Sequence, residues 1–271
     1  MGRVRVGISG WTYPGWRGDF YPRGLVQREE LRYAAERLSA IEINGSFYSL
    51  QRPTSYAAWR DQTPDDYVFA VKGGRYITHL KRLGGVEAAL ANFFASGVLG
   101  LGAKLGPVLW QLPQNLAFDA ARLEGFFGLL PHTTTEAAIL AAAHDDKVPE
   151  DRALTSTDVD RPLYHALEFR SETFCDDRAY ELMRRHDIAC VLADTAGRWP
   201  KVDVSTGPIR YARLHGDAEL YASGYSDDAL DEWATTLRGW AANGQDVFVF
   251  FDNDAKGHAP HDALRLIERL A

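Results

Sequence analysis

Three features of this sequence predict an α/β chain folded as a single (β/α)8 TIM-like barrel with parallel strands, spanning 1–271. Short apolar runs alternate with longer amphipathic stretches, which is the signature of a parallel sheet covered by helices. The runs number eight. The length of 271 residues is close to the roughly 250 typical of such a barrel.

The strand-like runs are Val4 to Gly10, Ala40 to Asn44, Tyr67 to Lys72, Pro107 to Leu112, Tyr164 to Arg170, Ile188 to Asp194, Ile209 to His215 and Val247 to Asp252. Helical periodicity fills most of the gaps, at Arg28 to Leu38, Thr54 to Gln62, Val86 to Ser96, Ala120 to Leu130, Asp176 to His186 and Asp227 to Ala242. A last amphipathic stretch, Pro260 to Leu270, closes the chain. The connection Ala196 to Pro208 carries Gly197, Pro200, Gly207 and Pro208, so no regular helix is expected there. Ala141 to Arg161 has no clear period and reads as an extension of the fourth crossover rather than a linker. No internal repeat or low-complexity tract stands out.

Composition narrows the class. With 46% hydrophobic and 25% charged residues, the chain resembles an ordinary globular protein with enough apolar material for a large core. The formal charge of −7 offers a polyanion no overall attraction, so any nucleic-acid site must be a local patch. Cys175 and Cys190 form neither a disulfide framework nor a zinc spacing, which suits a reducing cytoplasm. No apolar stretch approaches the roughly 20 residues that span a bilayer, and the N-terminus enters a strand-like run at once. A cytoplasmic protein without membrane association is the expectation.

In a parallel barrel the C-terminal ends of all strands open on one face, where function concentrates. Polar residues recur at these ends: Ser9, Gly10 and Trp11; Glu42 and Asn44, with Phe47 and Tyr48 beyond; Lys72; Gln111; Glu168 and Arg170; Asp194; Arg213 and His215; Asp252 and Asn253. Strand side chains alternate between faces, so Glu42 with Asn44, Glu168 with Arg170, and Arg213 with His215 form same-face pairs. Ionised groups facing the helices would be severely desolvated, which assigns them to the mouth. Glu42, Glu168, Asp194 and His215 are the catalytic candidates. Trp11, Asn44, Tyr48, Lys72, Gln111, Arg170, Arg213 and Asn253 are the substrate-binding ones.

A positive pocket inside an acidic surface is expected where Lys72, Arg170 and Arg213 converge. Glu42, Glu168, Asp194 and Asp252 offer oxygen donors to Mg²⁺ or Mn²⁺, and His79, His215, His258 and His261 offer nitrogen. A divalent metal is compatible with this set but not required by it. A histidine-rich zinc cluster is disfavoured by the cations among the donors. The Gly73-Gly74 and Gly84-Gly85 pairs match neither a P-loop nor a dinucleotide fingerprint, so no nucleotide cofactor is expected.

The same strand ends carry motifs that resemble the YecE-like family, a domain of unknown function. They are VGISGWTYPGWRGDFYP, IEINGSFY, FAVKGGRYITH, LGAKLGPVLWQLPQN, HALEFRSETF, YARLHG and FVFFDNDAKGHAPHDAL. Together they cover essentially the whole chain, with Asp252 and His261 standing where the family pattern leads to asparagine. The resemblance implies a TIM-like barrel, and a likeness to endonuclease IV that implies a DNA-binding role. This sequence lacks the His-rich metal pattern of that enzyme.

Three functions remain open from sequence. The first is an enzyme, a hydrolase by preference, acting on a phosphate-bearing substrate or a nucleic acid with a flipped nucleotide. Lys72, Arg170 and Arg213 would neutralise phosphate, Glu42 or Glu168 would be the general base and His215 the acid, with loop aromatics stacking a base. The second is a carbohydrate-active hydrolase or isomerase using Glu42 and Glu168 as paired carboxylates. The third is a non-catalytic binding protein for a small anionic ligand.

Overall fold

The computed structural model describes residues 1–271 and shows eight parallel strands closed into a barrel in sequence order. They are β1 Val4–Ser9, β2 Ala40–Ile43, β3 Val68–Lys72, β4 Leu105–Gln111, β5 His165–Glu168, β6 Ile188–Asp194, β7 Ile209–Leu214 and β8 Asp246–Phe251. Each falls on a predicted apolar run. Closure is made by β1 against β8, with Val4 opposite Val247 and Ile8 opposite Phe251.

The helices are α1 Glu30–Ala35, α2 Gly45–Tyr48, α3 Pro53–Asp61, α4 Glu87–Ala95, α5 Ala120–Phe127, α6 Thr134–Ala141, α7 Asp177–Arg185, α8 Asp227–Ala242 and α9 His258–Leu270. Periodicity misses α6 because Ala137 to Ala141 is one continuous apolar run. Its signal lies in the cap instead: Thr133 accepts from the Glu136 N–H, and the Glu136 carboxylate accepts from the His132 N–H, a reciprocal capping arrangement. The connection after β6 is free of helix, and beyond α6 the fourth crossover runs irregularly to β5 with one short 3-10 turn at Glu150–Arg152.

Strand alternation divides the core in two. A cluster of 62 buried residues lies between sheet and helices, while only 11 apolar residues, among them Ala40, Ala70, Val191, Tyr211 and Phe250, fill the lumen. The lower lumen is therefore packed side chain on side chain. Following the same parity upward puts Glu42, Lys72, Glu168, Arg213 and Asp252 inside the upper lumen. It puts Asp194 and Asn253 on the outer face, with Ile188, Cys190 and Leu192, and with Val247, Val249 and Phe251.

Candidate active site at the barrel mouth

Arg213 is the hub. It reaches inward from β7 with no solvent exposure at all, so every N–H it carries must find a protein partner. Glu42 takes two of them, with Nε 3.0 Å from Oε2 and Nη2 2.8 Å from Oε1. Glu168 Oε2 lies 2.7 Å from Nη1, and Asp252 Oδ2 lies 2.9 Å from Nη2. Fork geometry is what lets one cation serve three carboxylates from three strands. Glu42 is held from two further sides: the Ser9 hydroxyl donates to Oε1 at 2.9 Å and the Tyr211 hydroxyl to Oε2 at 2.6 Å.

Above the hub sits a second layer nearer solvent. Arg170 donates from Nε to Glu168 Oε1 at 2.9 Å and from Nη2 to the Tyr221 hydroxyl at 3.2 Å, with its guanidinium 3.8 Å from the Trp199 ring centroid. Its Nη1 group keeps both hydrogens free of protein partners. Lys72 is only 9% exposed, yet no carboxylate or other acceptor pairs with its Nζ, which lies 4.4 Å from the Phe47 ring centroid. Burial, then the Arg213 charge, pushes its ammonium down to about 8. Burial and the Lys72 and Arg170 charges push His79 beside them down to about 4. Against the upward push of burial, Arg213 and Arg170 hold Glu168 below the usual carboxylate range, and Arg213 and His215 hold Asp252 down at about 2.

The hub changes what several predicted residues can do. Arg213, Glu42 and Glu168 are fully buried and mutually committed, so Arg213 does not face a ligand as expected. Lys72, Arg170 and Arg213 meet Glu42, Glu168 and Asp252, three cations against three carboxylates, so the mouth is charge-balanced rather than strongly positive. The arginines absorb the carboxylates, and Lys72 is the cation left over. His215 is enclosed as well. Its Nδ1 lies 3.0 Å from Asp252 Oδ2 but off line for a hydrogen bond, and its Nε2 lies 3.5 Å from Arg213 Nη1.

Asp194 and Asn253 leave the mouth altogether. Asp194 points outward, where Lys201 Nζ at 3.0 Å and the α8 indole of Trp233 at 3.3 Å bind its Oδ2. Being the last residue of its strand, it sits one step out of phase with the lumen-facing Ala189 and Val191. Asn253 is buried and donates to the Ser223 carbonyl and to Asp262 of α9, both at 2.9 Å. Gln111 is inside the lumen but donates to the Leu112 carbonyl at 2.9 Å. Asn44 keeps its Oδ1 buried without a partner. Trp11 packs edge-on against Trp59 of α3 at 5.3 Å, and Tyr48 is 73% exposed, outside the cluster. No group of three or more His, Cys, Asp or Glu side chains is arranged to hold a metal ion, because Arg213 occupies the centre that the three carboxylates share.

Sequence reasoning missed two members. Tyr211 lies in mid-strand, where a tyrosine reads as core, and only the Glu42 carboxylate opposite gives its hydroxyl a use. Tyr221 sits in the loop after β7 with a left-handed φ of 63° and stacks edge-on to His215 at 5.3 Å. No local pattern announces it.

Fold and mouth define a TIM-type β/α barrel whose C-terminal face is built around a buried arginine–carboxylate network. Sequence comparison places it more closely: the profile described as "Protein of unknown function DUF72" matches residues 5–271, and the chain belongs to that family. Among curated relatives, UPF0759 protein YecE of Escherichia coli O157:H7 is 27% identical over 203 residues, 74% of this chain and 68% of that one. UPF0759 protein YunF of Bacillus subtilis is 23% identical, covering 98% of this chain and 94% of the relative. Solved structures of DUF72 family proteins share the fold. The one from Thermotoga maritima has a TM-score of 0.77 at 23% identity, with 99% of both chains covered. One from Enterococcus faecalis has a TM-score of 0.74 at 16% identity, covering 98% of this chain and 95% of that one. No helix is long and apolar enough to cross a membrane.

Proposed function

We propose that the protein is an enzyme acting on a small phosphate-bearing substrate held at the barrel mouth by Lys72 and Arg170. The observation that carries this reading is the nearly buried Lys72 ammonium, the one cation of the mouth without a carboxylate. A partly desolvated ammonium with no acceptor in the protein is stabilised by an incoming anion more than a fully solvated one. The free Nη1 of Arg170 supplies the directional contacts. Asp252 is the carboxylate of the hub with some side-chain exposure, 16%. It stays anionic at neutral pH and can accept a hydrogen bond from an attacking water or hydroxyl, which fits hydrolysis.

The carbohydrate reading is weaker, because a glycosidic general acid must keep its proton near neutral pH. Glu168 is pushed the opposite way, and Arg213 stands between it and Glu42. A duplex substrate is disfavoured by the net charge of −7.

A thermal-shift screen of phosphorylated sugars, nucleotides and abasic oligonucleotides tests the proposal. A stabilising phosphorylated compound should lose at least about tenfold in affinity in Lys72→Met and in Arg170→Met, and should bind more weakly as salt rises. Its turnover should release phosphate or an alcohol. Binding without turnover would make the chain a receptor for anions, and affinity indifferent to both substitutions would refute the site.

A further inference from the structure

One cavity, about 740 Å³, does not lie over the Arg213 hub. It opens beside it, between α2, the turn after β3 and α4, and Phe47 belongs to both: its ring centroid lies 4.4 Å from Lys72 Nζ, and the residue also lines the cavity. Four of the eight exposed large hydrophobic residues gather here, Tyr48 at 73%, Leu80 at 62%, Tyr76 at 44% and Leu50 at 41%. Single exposed apolar side chains need no explanation, but a cluster lining one concavity marks a binding site. The volume is that of a small-molecule pocket.

Three cations, Arg75, Lys81 and Lys147, line the same cavity with one carboxylate, Asp145. That carboxylate is already committed, accepting from the Asn92 amide at 2.8 Å and from the Lys147 backbone N–H at 3.0 Å. The cavity is thus cationic in a protein whose net charge is −7. Its wall is also built at a cost. Tyr76–Leu80 forms a π turn closed by the Lys81 N–H on the Tyr76 carbonyl, 2.8 Å, and Arg82 and Leu83 follow with φ of 52° and 69°. Successive left-handed residues other than glycine are strained, and this turn is what presents Tyr76, Leu80 and Lys81 to the cavity.

We infer that this cavity is a second binding site, distinct from the barrel mouth, for an aromatic anion: a planar ring bearing a phosphate monoester. The ring lies against Tyr48, Tyr76 and Leu80, and the phosphate meets Arg75, Lys81 or Lys147. A flat polar rim alone would take inorganic phosphate as well as the ester, and an apolar groove alone would take the neutral ring. The combination selects the compound that carries both.

Isothermal titration with 1-naphthyl phosphate, 1-naphthol, inorganic phosphate and adenosine 5′-monophosphate tests this. Either aromatic monoester should bind at least about tenfold more tightly than both naphthol and phosphate. Tyr76→Ala and Lys147→Glu, both at exposed positions, should each remove most of that advantage. Unchanged affinity in these two variants, or no preference for the monoesters, overturns the proposal. Lys72→Met in parallel reports on the mouth: loss there with normal binding in the cavity variants places the ligand at the mouth and refutes the second site. Loss in the cavity variants with normal Lys72→Met binding supports it independently of the mouth's function.

Discussion

Lys72 makes protonation at one residue a variable of the whole fold. Its ammonium is lowered from 10.5 to about 8, so below about 8 both folded and unfolded chains carry the proton and the full cost of burying a charge is present. Between about 8 and 10.5 the unfolded chain still binds a proton that the folded chain has released, and stability rises with pH. The gain is on the order of 3 kcal/mol. Urea unfolding at pH 7 and pH 9.5 should show the parent gaining stability relative to Lys72→Met, which has no such proton to lose. A pH-independent difference between the two proteins would refute it. Anion affinity at the mouth moves the other way, declining as pH rises through about 8, because the ligand needs the ammonium.

Elements are held in place by residues that the mouth does not use. Gly73 follows β3, and a Cβ there would lie 2.2 Å from the ring of Trp110 on β4. Both the indole and its neighbour Phe93 are fully buried, so the ring has nowhere to move. Gly73→Ala should therefore lose about 1–3 kcal/mol through overpacking, read as a lowered denaturation midpoint with unchanged slope. Asp194 does comparable work between β6 and α8 through Trp233 and Lys201. Asp194→Ala should cost about 1–3 kcal/mol while leaving ligand affinity at the mouth near the parent value. A variant of normal stability with lost binding would return Asp194 to the site.

At the scale of the molecule, Arg213 couples the strands around the barrel. Its partners come from β1, β2, β5 and the end of β8, so one side chain ties opposite walls of the lumen together. Removing it leaves Glu42 and Asp252 without their arginine and Glu168 with Arg170 alone, and breaking even a single buried pair costs about 3–5 kcal/mol. Arg213→Met should fail to accumulate as a folded protein, or should melt far below the parent. The double variant with Glu42→Gln should recover part of the loss, because one stranded charge is gone. Circular dichroism melting of the three proteins checks both statements, and a stable, normally melting Arg213→Met would show that the network does not hold the barrel.

The strands were legible in the sequence because period and length are local properties. Eight apolar runs of the right length, spaced by helical patterns, admit few arrangements other than a closed parallel barrel. The same-face pairing of Glu168 with Arg170 also followed from alternation, and the two side chains meet at 2.9 Å. Depth and parity at the strand ends were not local. Whether Asp194 faces the lumen or α8 turns on a single residue of phase, and sequence gives strand ends only to within a residue or two. Which carboxylate takes which N–H of Arg213 depends on side chains from four strands meeting at one point, brought there by barrel closure. Residue types alone showed that cations and carboxylates gather at the mouth. Only the tertiary structure decided that Arg213 is consumed by the fold while Lys72 is left without a partner, because pairing among buried charges is settled by distance and desolvation across the lumen.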